Sequence, residues 1–118
     1  MSDSEYIELL HFFLLEDWHH DHERILQELQ NYFNEDKNSI KYLMKVLSHP
    51  PDRYLHDEYL KYPFIRKIIY AIGAQPEPYN IEALETISQS EEKEIRELAL
   101  HQIEKRNRLG RWETEEDE

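Results

Sequence analysis

The chain has 118 residues, enough for one hydrophobic core but not for two independent ones. Its 12% aromatic content argues against disorder despite 34% charged residues, and the absence of Cys excludes disulfides and cysteine metal sites. The net charge of −12 disfavours direct binding to nucleic acid or membrane and favours a basic partner, although an acidic protein without one fits the composition equally well. We expect one domain, 1–112, and a disordered acidic tail, 113–118.

Three apolar patterns with helical spacing occupy the first half of the chain. The first helix is expected to begin at an N-cap, Ser4, and the second near His20. The third follows a polar loop at 34–38 and stops before Pro50. The residues predicted to face inward are Leu9, Leu10, Phe13 and Leu14, then Ile25, Leu26, Leu29, Tyr32 and Phe33, then Ile40, Leu43, Met44 and Leu47.

Pro and Gly punctuate the second half of the chain. Because Pro is tolerated in the first turn of a helix but not in its middle, the fourth helix is predicted to begin near Pro63 and to end at Gly73. Asn80 is the predicted cap of a fifth helix, and Ser90 the cap of a sixth that ends near Asn107.

Two similar segments suggest a repeat. Ile65-Arg66-Lys67-Ile68 is echoed by Ile95-Arg96-Glu97-Leu98, 30 residues further along the chain. A repeat of that length is typical of helix pairs that bury their apolar faces only by stacking. No strand-like alternation accompanies it. The sequence therefore predicts an all-α fold, a short α-solenoid of about six helices in three antiparallel hairpins.

One histidine-rich segment has the spacing of a metal site. His19, His22 and Glu23 are three and four residues apart, so one helical turn presents them to a single ion. The pattern differs from the His-Glu-x-x-His of zinc proteases. The favoured interpretation is a helix start, in which Asp17 or Asp21 is the cap and a neighbouring Trp anchors the loop on the core.

Catalytic motifs are missing from the chain. It contains no P-loop, no glycine pattern for dinucleotides and no G-x-S-x-G, so we expect neither an enzyme nor a cofactor. The segment 54–59 instead places two tyrosines and two acids on a predicted loop, where Asp57 caps a turn, and this is good binding-surface chemistry. The alternative is a connector whose aromatic rings fill the space between hairpins.

Several segments together resemble a known class of proteins. They are Trp18-His19-x-x-His22-Glu23, Tyr54-Leu55-x-Asp57-Glu58, Arg66-Lys67-x-x-Tyr70-Ala71-Ile72-Gly73 and Glu94-Ile95-Arg96-Glu97-x-Ala99. Across most of the chain they look like small bacterial HEAT-repeat proteins, many of which resemble immunity proteins of polymorphic toxin and contact-dependent inhibition systems. Two departures are the segment 74–78 and Pro63, which interrupts an otherwise continuous helix.

The resemblance implies a small cytoplasmic protein that binds and blocks a toxin domain, commonly a basic nuclease, as a monomer or in a one-to-one complex. Its acidic side chains are expected to occupy the cationic cleft that a nuclease needs for phosphates. The alternatives are a HEAT-like scaffold or adaptor with a non-toxin partner and, more remotely, a hydrolase that uses the histidine-rich segment. The predicted partner contacts are Glu16, Asp17, His19, Asp21, His22, Tyr54, Asp57, Glu58 and Tyr59.

Overall fold

Six α-helices account for most of residues 3–31 and 37–110, the part of the chain that the computed structural model describes. No β-strand occurs in these residues, so the predicted all-α class is confirmed. Tyr32, Phe33 and the tail 113–118 lie outside the described residues. The elements are α1 (Asp3–Leu14), α2 (His22–Asn31), α3 (Asn38–Ser48), a 3-10 turn (Asp52–Tyr54), α4 (Glu58–Gly73), α5 (Tyr79–Ile87) and α6 (Lys93–Leu109).

The helices pack in consecutive pairs, α1 on α2, α3 on α4, and α5 on α6. The second helices of the pairs also touch one another in order, α2 to α4 to α6, and so do the first helices, α1 to α3 to α5. This pattern of contacts is the one expected when helix pairs stack. The body measures 35 × 34 × 25 Å, so three pairs do not extend into a long superhelix, and HEAT-like curvature stays a prediction.

Helix α4 lies at the centre, where it contacts α2, α3, α5 and α6. Ile65, Ile68 and Ile69 are at most 1% exposed. At the equivalent positions of α6, Ala99 is fully buried and Ile95 and Leu98 pack against the same core. The repeated segment therefore marks the apolar faces of two neighbouring helices.

The predicted start of the fourth helix is wrong, because α4 begins at Glu58 rather than near Pro63. The Asp57 carboxylate accepts the N–H of Tyr59 at 2.8 Å and so caps a longer helix, not an isolated turn. Pro63 is tolerated in the second turn, where its ring is exposed to solvent. Glu58 and Tyr59 consequently lie on a helix and not on the predicted loop.

Gly73 marks a close approach of helices. A Cβ at this position would lie 2.4 Å from Gln102 Oε1 and 3.4 Å from Arg106 Cδ, both on α6. The residue ends α4, as predicted, but its missing side chain serves the contact with α6 rather than a left-handed turn. Asn80, the predicted cap of α5, is buried in the first turn of that helix, and its amide donates to the Gly73 carbonyl oxygen at 3.0 Å.

The described helices are also too short or too polar to cross a lipid bilayer.

Candidate partner-binding site

The loop that joins α1 to α2, residues 15–21, is held by the ring of His19. Its Nε2 donates a hydrogen bond to the carbonyl oxygen of Phe13 at 2.6 Å, and its Nδ1 accepts the N–H of Asp21 at 3.0 Å. A carbonyl oxygen only accepts and a backbone N–H only donates, so the neutral ring with its proton on Nε2 satisfies both. The side chain thus links the two ends of the loop.

His22, the first residue of α2, is fully buried beneath the same loop. Its Nε2 donates to the carbonyl oxygen of Glu16 at 2.6 Å, and its Nδ1 accepts from Arg53 Nη2 at 2.9 Å. Both contacts again require the neutral ring. Burial lowers the pKa of His22, and the positive charge of Arg53 lowers it further. The hydrogen bond to the carbonyl oxygen of Glu16 acts in the opposite direction.

Arg53, in the 3-10 turn, joins this loop to the centre of the protein. Besides the ring nitrogen of His22, it reaches the carbonyl oxygen of His19 and the hydroxyl of Tyr54, both at 3.3 Å. The Tyr54 hydroxyl donates in turn to Glu23 at 3.2 Å, and Glu23 forms an ion pair with Lys67 of α4. The contact with Lys67 lowers the pKa of the Glu23 carboxyl.

Segments 18–23 and 54–58, both quoted for the resemblance, meet in this network. Two of the predicted partner contacts are wrong, because His22 is 0% exposed and Tyr54 is 6% exposed. The Tyr54 ring stacks on Phe64 at 3.8 Å between centroids, as the alternative of an aromatic filler predicted. Both residues support the loop from beneath and leave other side chains to face a partner.

The histidine-rich segment is arranged as a helix start. The rings of His19 and His22 stack with centroids 4.4 Å apart, their nitrogens are engaged as described above, and Glu23 faces a lysine. In the part of the chain that the structure describes, no three His, Asp or Glu side chains are grouped to hold a metal ion. The hydrogen bonds of His19 and His22 to backbone atoms stabilise the loop.

Trp18 is 64% exposed, so the expectation that it anchors the loop on the core is wrong. His22 fills the buried position instead. The indole nitrogen donates to Glu16 Oε1 at 3.1 Å, and the ring packs edge-to-face on Phe13 and His19. The predicted contacts omitted this residue, although a Trp within a run of acids was a visible signal for it.

Grooves lie on both sides of the loop. One, of about 350 Å³, separates α1 from α2 beside Trp18 and includes Asp21 in its wall. The other, of about 410 Å³, lies between the loop and the C-terminal end of α3, with Glu16 and Asp17 in its wall. The loop therefore presents four acidic or aromatic side chains between the two grooves, Glu16, Asp17, Trp18 and Asp21. The remaining lining residues of the first groove are Tyr6, Leu10, Phe13, His19, Arg24, Ile25 and Glu28.

The other predicted contacts lie at the start of α4. Tyr59 is 83% exposed, and Glu58 beside it is exposed as well. The Asp57 carboxylate is exposed but already serves as the helix cap, so reversing its charge removes the cap together with any contact to a partner. Arg53 lies a few residues before Asp57 in the chain, and its side chain donates to the carbonyl oxygen of His19 in the α1–α2 loop. This contact links the start of α4 to the loop, the two areas in which partner contacts are predicted.

Comparison of the chain with protein-family models, with curated proteins and with solved structures finds no match. The resemblance to HEAT-repeat immunity proteins therefore stays a prediction.

Proposed function

We propose that this protein is an inhibitor that binds a basic protein domain through the α1–α2 loop, in the manner of an immunity protein that neutralises a toxin. The observation that carries the proposal is Trp18, a large aromatic side chain that is 64% exposed although its loop is held by two histidines and an arginine. A fixed, exposed Trp is the type of residue that dominates binding energy at protein interfaces.

The charge around Trp18 favours a cationic partner. Asp17 and Asp21 flank it and are exposed, and Glu16 accepts its indole N–H. Carboxylates in this arrangement imitate the spaced negative charges of a phosphate backbone and pair with Arg or Lys. A nuclease cleft that has to attract phosphates is a surface of this kind.

The mechanism is occlusion of that cleft. The net charge of −12 steers a basic domain towards this protein and accelerates association, and the preformed loop limits the conformational entropy lost on binding. Trp18 provides the desolvated anchor, and the carboxylates beside it replace substrate phosphates. Tyr59 and Glu58 supply a second contact area at the start of α4.

The test is protection of cells from candidate toxin domains encoded beside the gene in its native genome. Wild-type protein is expected to restore growth and to form a one-to-one complex with one such domain. Trp18→Ala is expected to weaken that complex by about 30-fold or more, the loss typical of an interface hot spot, and Asp17→Lys to slow association. Leu100→Ala is the control, because Leu100 is 51% exposed on α6, outside the loop.

Two results would contradict the proposal. One is that no neighbouring toxin domain is bound or inhibited by the wild type. The other is that Trp18→Ala binds and protects as well as the control, which would move the contact surface away from the loop.

A further inference from the structure

The outer face of α1 carries a stripe of exposed apolar side chains. Leu9 and Phe12 are 40% and 57% exposed, so the prediction that Leu9 faces inward is wrong, and Leu15, the first residue of the loop, is 40% exposed. Leu9 and Phe12 lie on the side of the helix away from Ile7 and Leu14, which are at most 4% exposed. Scattered exposed apolar residues are ordinary, but several in a row mark an interaction surface.

Acidic residues lie at both ends of this stripe. Glu5 and Glu8 precede it on exposed positions of the same face, and Glu16 follows it in the α1–α2 loop. Helix α1 contains no Lys or Arg, and its one histidine, His11, is 1% exposed. The face is therefore apolar in its central part and negatively charged at both ends.

We propose that the outer face of α1 is a docking surface for a basic amphipathic helix of a protein partner. Such a helix presents apolar residues at intervals of three and four on one side and Lys or Arg along the edges of that side. Its apolar side covers Leu9, Phe12 and Leu15, and its cations meet Glu8 and Glu16. The rings of Phe12 and Phe13 are in edge contact at 5.2 Å, so the stripe rests on a packed support.

Charge decides between this occupant and a second copy of the chain. Two copies each carry a net charge of −12, and an α1-to-α1 contact would place the acidic residues of the two helices close together, where they repel each other. A basic helix instead gains apolar burial and charge complementarity at the same surface. Leu9 and Phe12 line neither groove beside the loop, whereas Leu15 and Glu16 line the second one, so this surface adjoins the proposed inhibitory surface and Phe12 is the residue that tests it separately.

The experiment uses a synthetic helical peptide of about 18 residues, or five turns, with Leu at intervals of three and four and Lys at the other positions. Its control is a scrambled peptide of the same composition. Binding to the full chain is measured by fluorescence anisotropy for the wild type, Phe12→Ser and Leu100→Ser. We expect Phe12→Ser to weaken binding by about tenfold or more. Leu100→Ser, at a similarly exposed position on α6, should change binding by less than about twofold.

Circular dichroism checks that each variant keeps its helices, and Leu9→Ser replaces Phe12→Ser if the latter does not. Equal binding of the scrambled peptide would reduce the interaction to bulk charge and overturn the proposal. So would unchanged binding by Phe12→Ser. Sedimentation velocity tests whether a second copy of the chain binds this surface instead. A wild-type dimer that Phe12→Ser abolishes would assign the surface to the second copy and overturn the proposal.

Discussion

Arg53 is the residue whose removal most directly tests how the α1–α2 loop is held. Arg53→Met keeps the apolar stem and deletes the guanidinium that donates to buried His22 Nδ1 at 2.9 Å. A buried acceptor left without its donor costs about 1–3 kcal/mol, and the two other bonds of Arg53, at 3.3 Å each, are longer and weaker. We expect the free energy of unfolding to fall by about 1–3 kcal/mol at pH 7.5.

The pH dependence of this loss separates the hydrogen bond from simple packing. The folded pKa of His22 is lowered from 6.5, so the stability due to its neutral ring is present above pH 6.5 and is lost as the pH falls towards the folded pKa. Without Arg53 one cause of that lowering disappears, and the variant should lose less stability on acidification than the wild type. The difference between the two proteins should therefore shrink from pH 7.5 to pH 5.5.

The assay is urea denaturation followed by circular dichroism at both pH values. Arg108→Met is the matched control, because Arg108 is exposed and forms an i, i+4 pair with Glu104 at 3.4 Å. That pair should be worth no more than about 0.5 kcal/mol. If Arg53→Met behaves like Arg108→Met, or if the difference from wild type does not change with pH, the support we assign to Arg53 is refuted.

Three further predictions concern the supports of the fold. Gly73→Ala should lower the free energy of unfolding, measured by urea denaturation, by about 1–3 kcal/mol, because its Cβ overlaps Gln102 Oε1. The double variant Gly73→Ala/Gln102→Ala should regain most of this loss, and a single variant as stable as the wild type would contradict the close approach. Asp57→Ala should cost about 1 kcal/mol through the lost cap of α4, whereas Asp57→Asn should keep it, and equal stability of both in thermal unfolding would refute the capping role. Nitrogen NMR should find the Nε2–H tautomer for both His19 and His22, and a proton on Nδ1 of either ring would exclude the hydrogen bonds described for it.

Much of the fold could be predicted from local pattern. The helical spacing of apolar residues located each helix of the described chain, and the repeated Ile-Arg segments marked apolar faces of α4 and α6. The start of α4 was misplaced because Pro63 is a strong local signal for a helix start, and the competing cap at Asp57 becomes visible only when its carboxylate is seen to accept the N–H of Tyr59.

The candidate site was harder to predict, because exposure depends on contacts between distant segments. The sequence singled out the acidic segment around Trp18, and its role as a partner surface stays a prediction. It could not reveal that His22 is buried beneath the loop, where its ring accepts a hydrogen bond from Arg53, 31 residues away. Nor could it reveal that Tyr54 is engaged by Phe64 and not by solvent. Four predicted contacts, Glu16, Asp17, His19 and Asp21, remain at the grooves beside the loop.

By itself the sequence determined that this protein is all-α, the approximate positions of its helices and its strongly acidic charge, because these properties follow from spacing and composition along the chain. Only the tertiary structure decided which aromatic and charged side chains face outward. Burial of one histidine and one tyrosine in a network around Arg53 leaves Trp18 on the surface. Which side chains are exposed depends on which distant segments pack together, and local sequence patterns do not predict that packing.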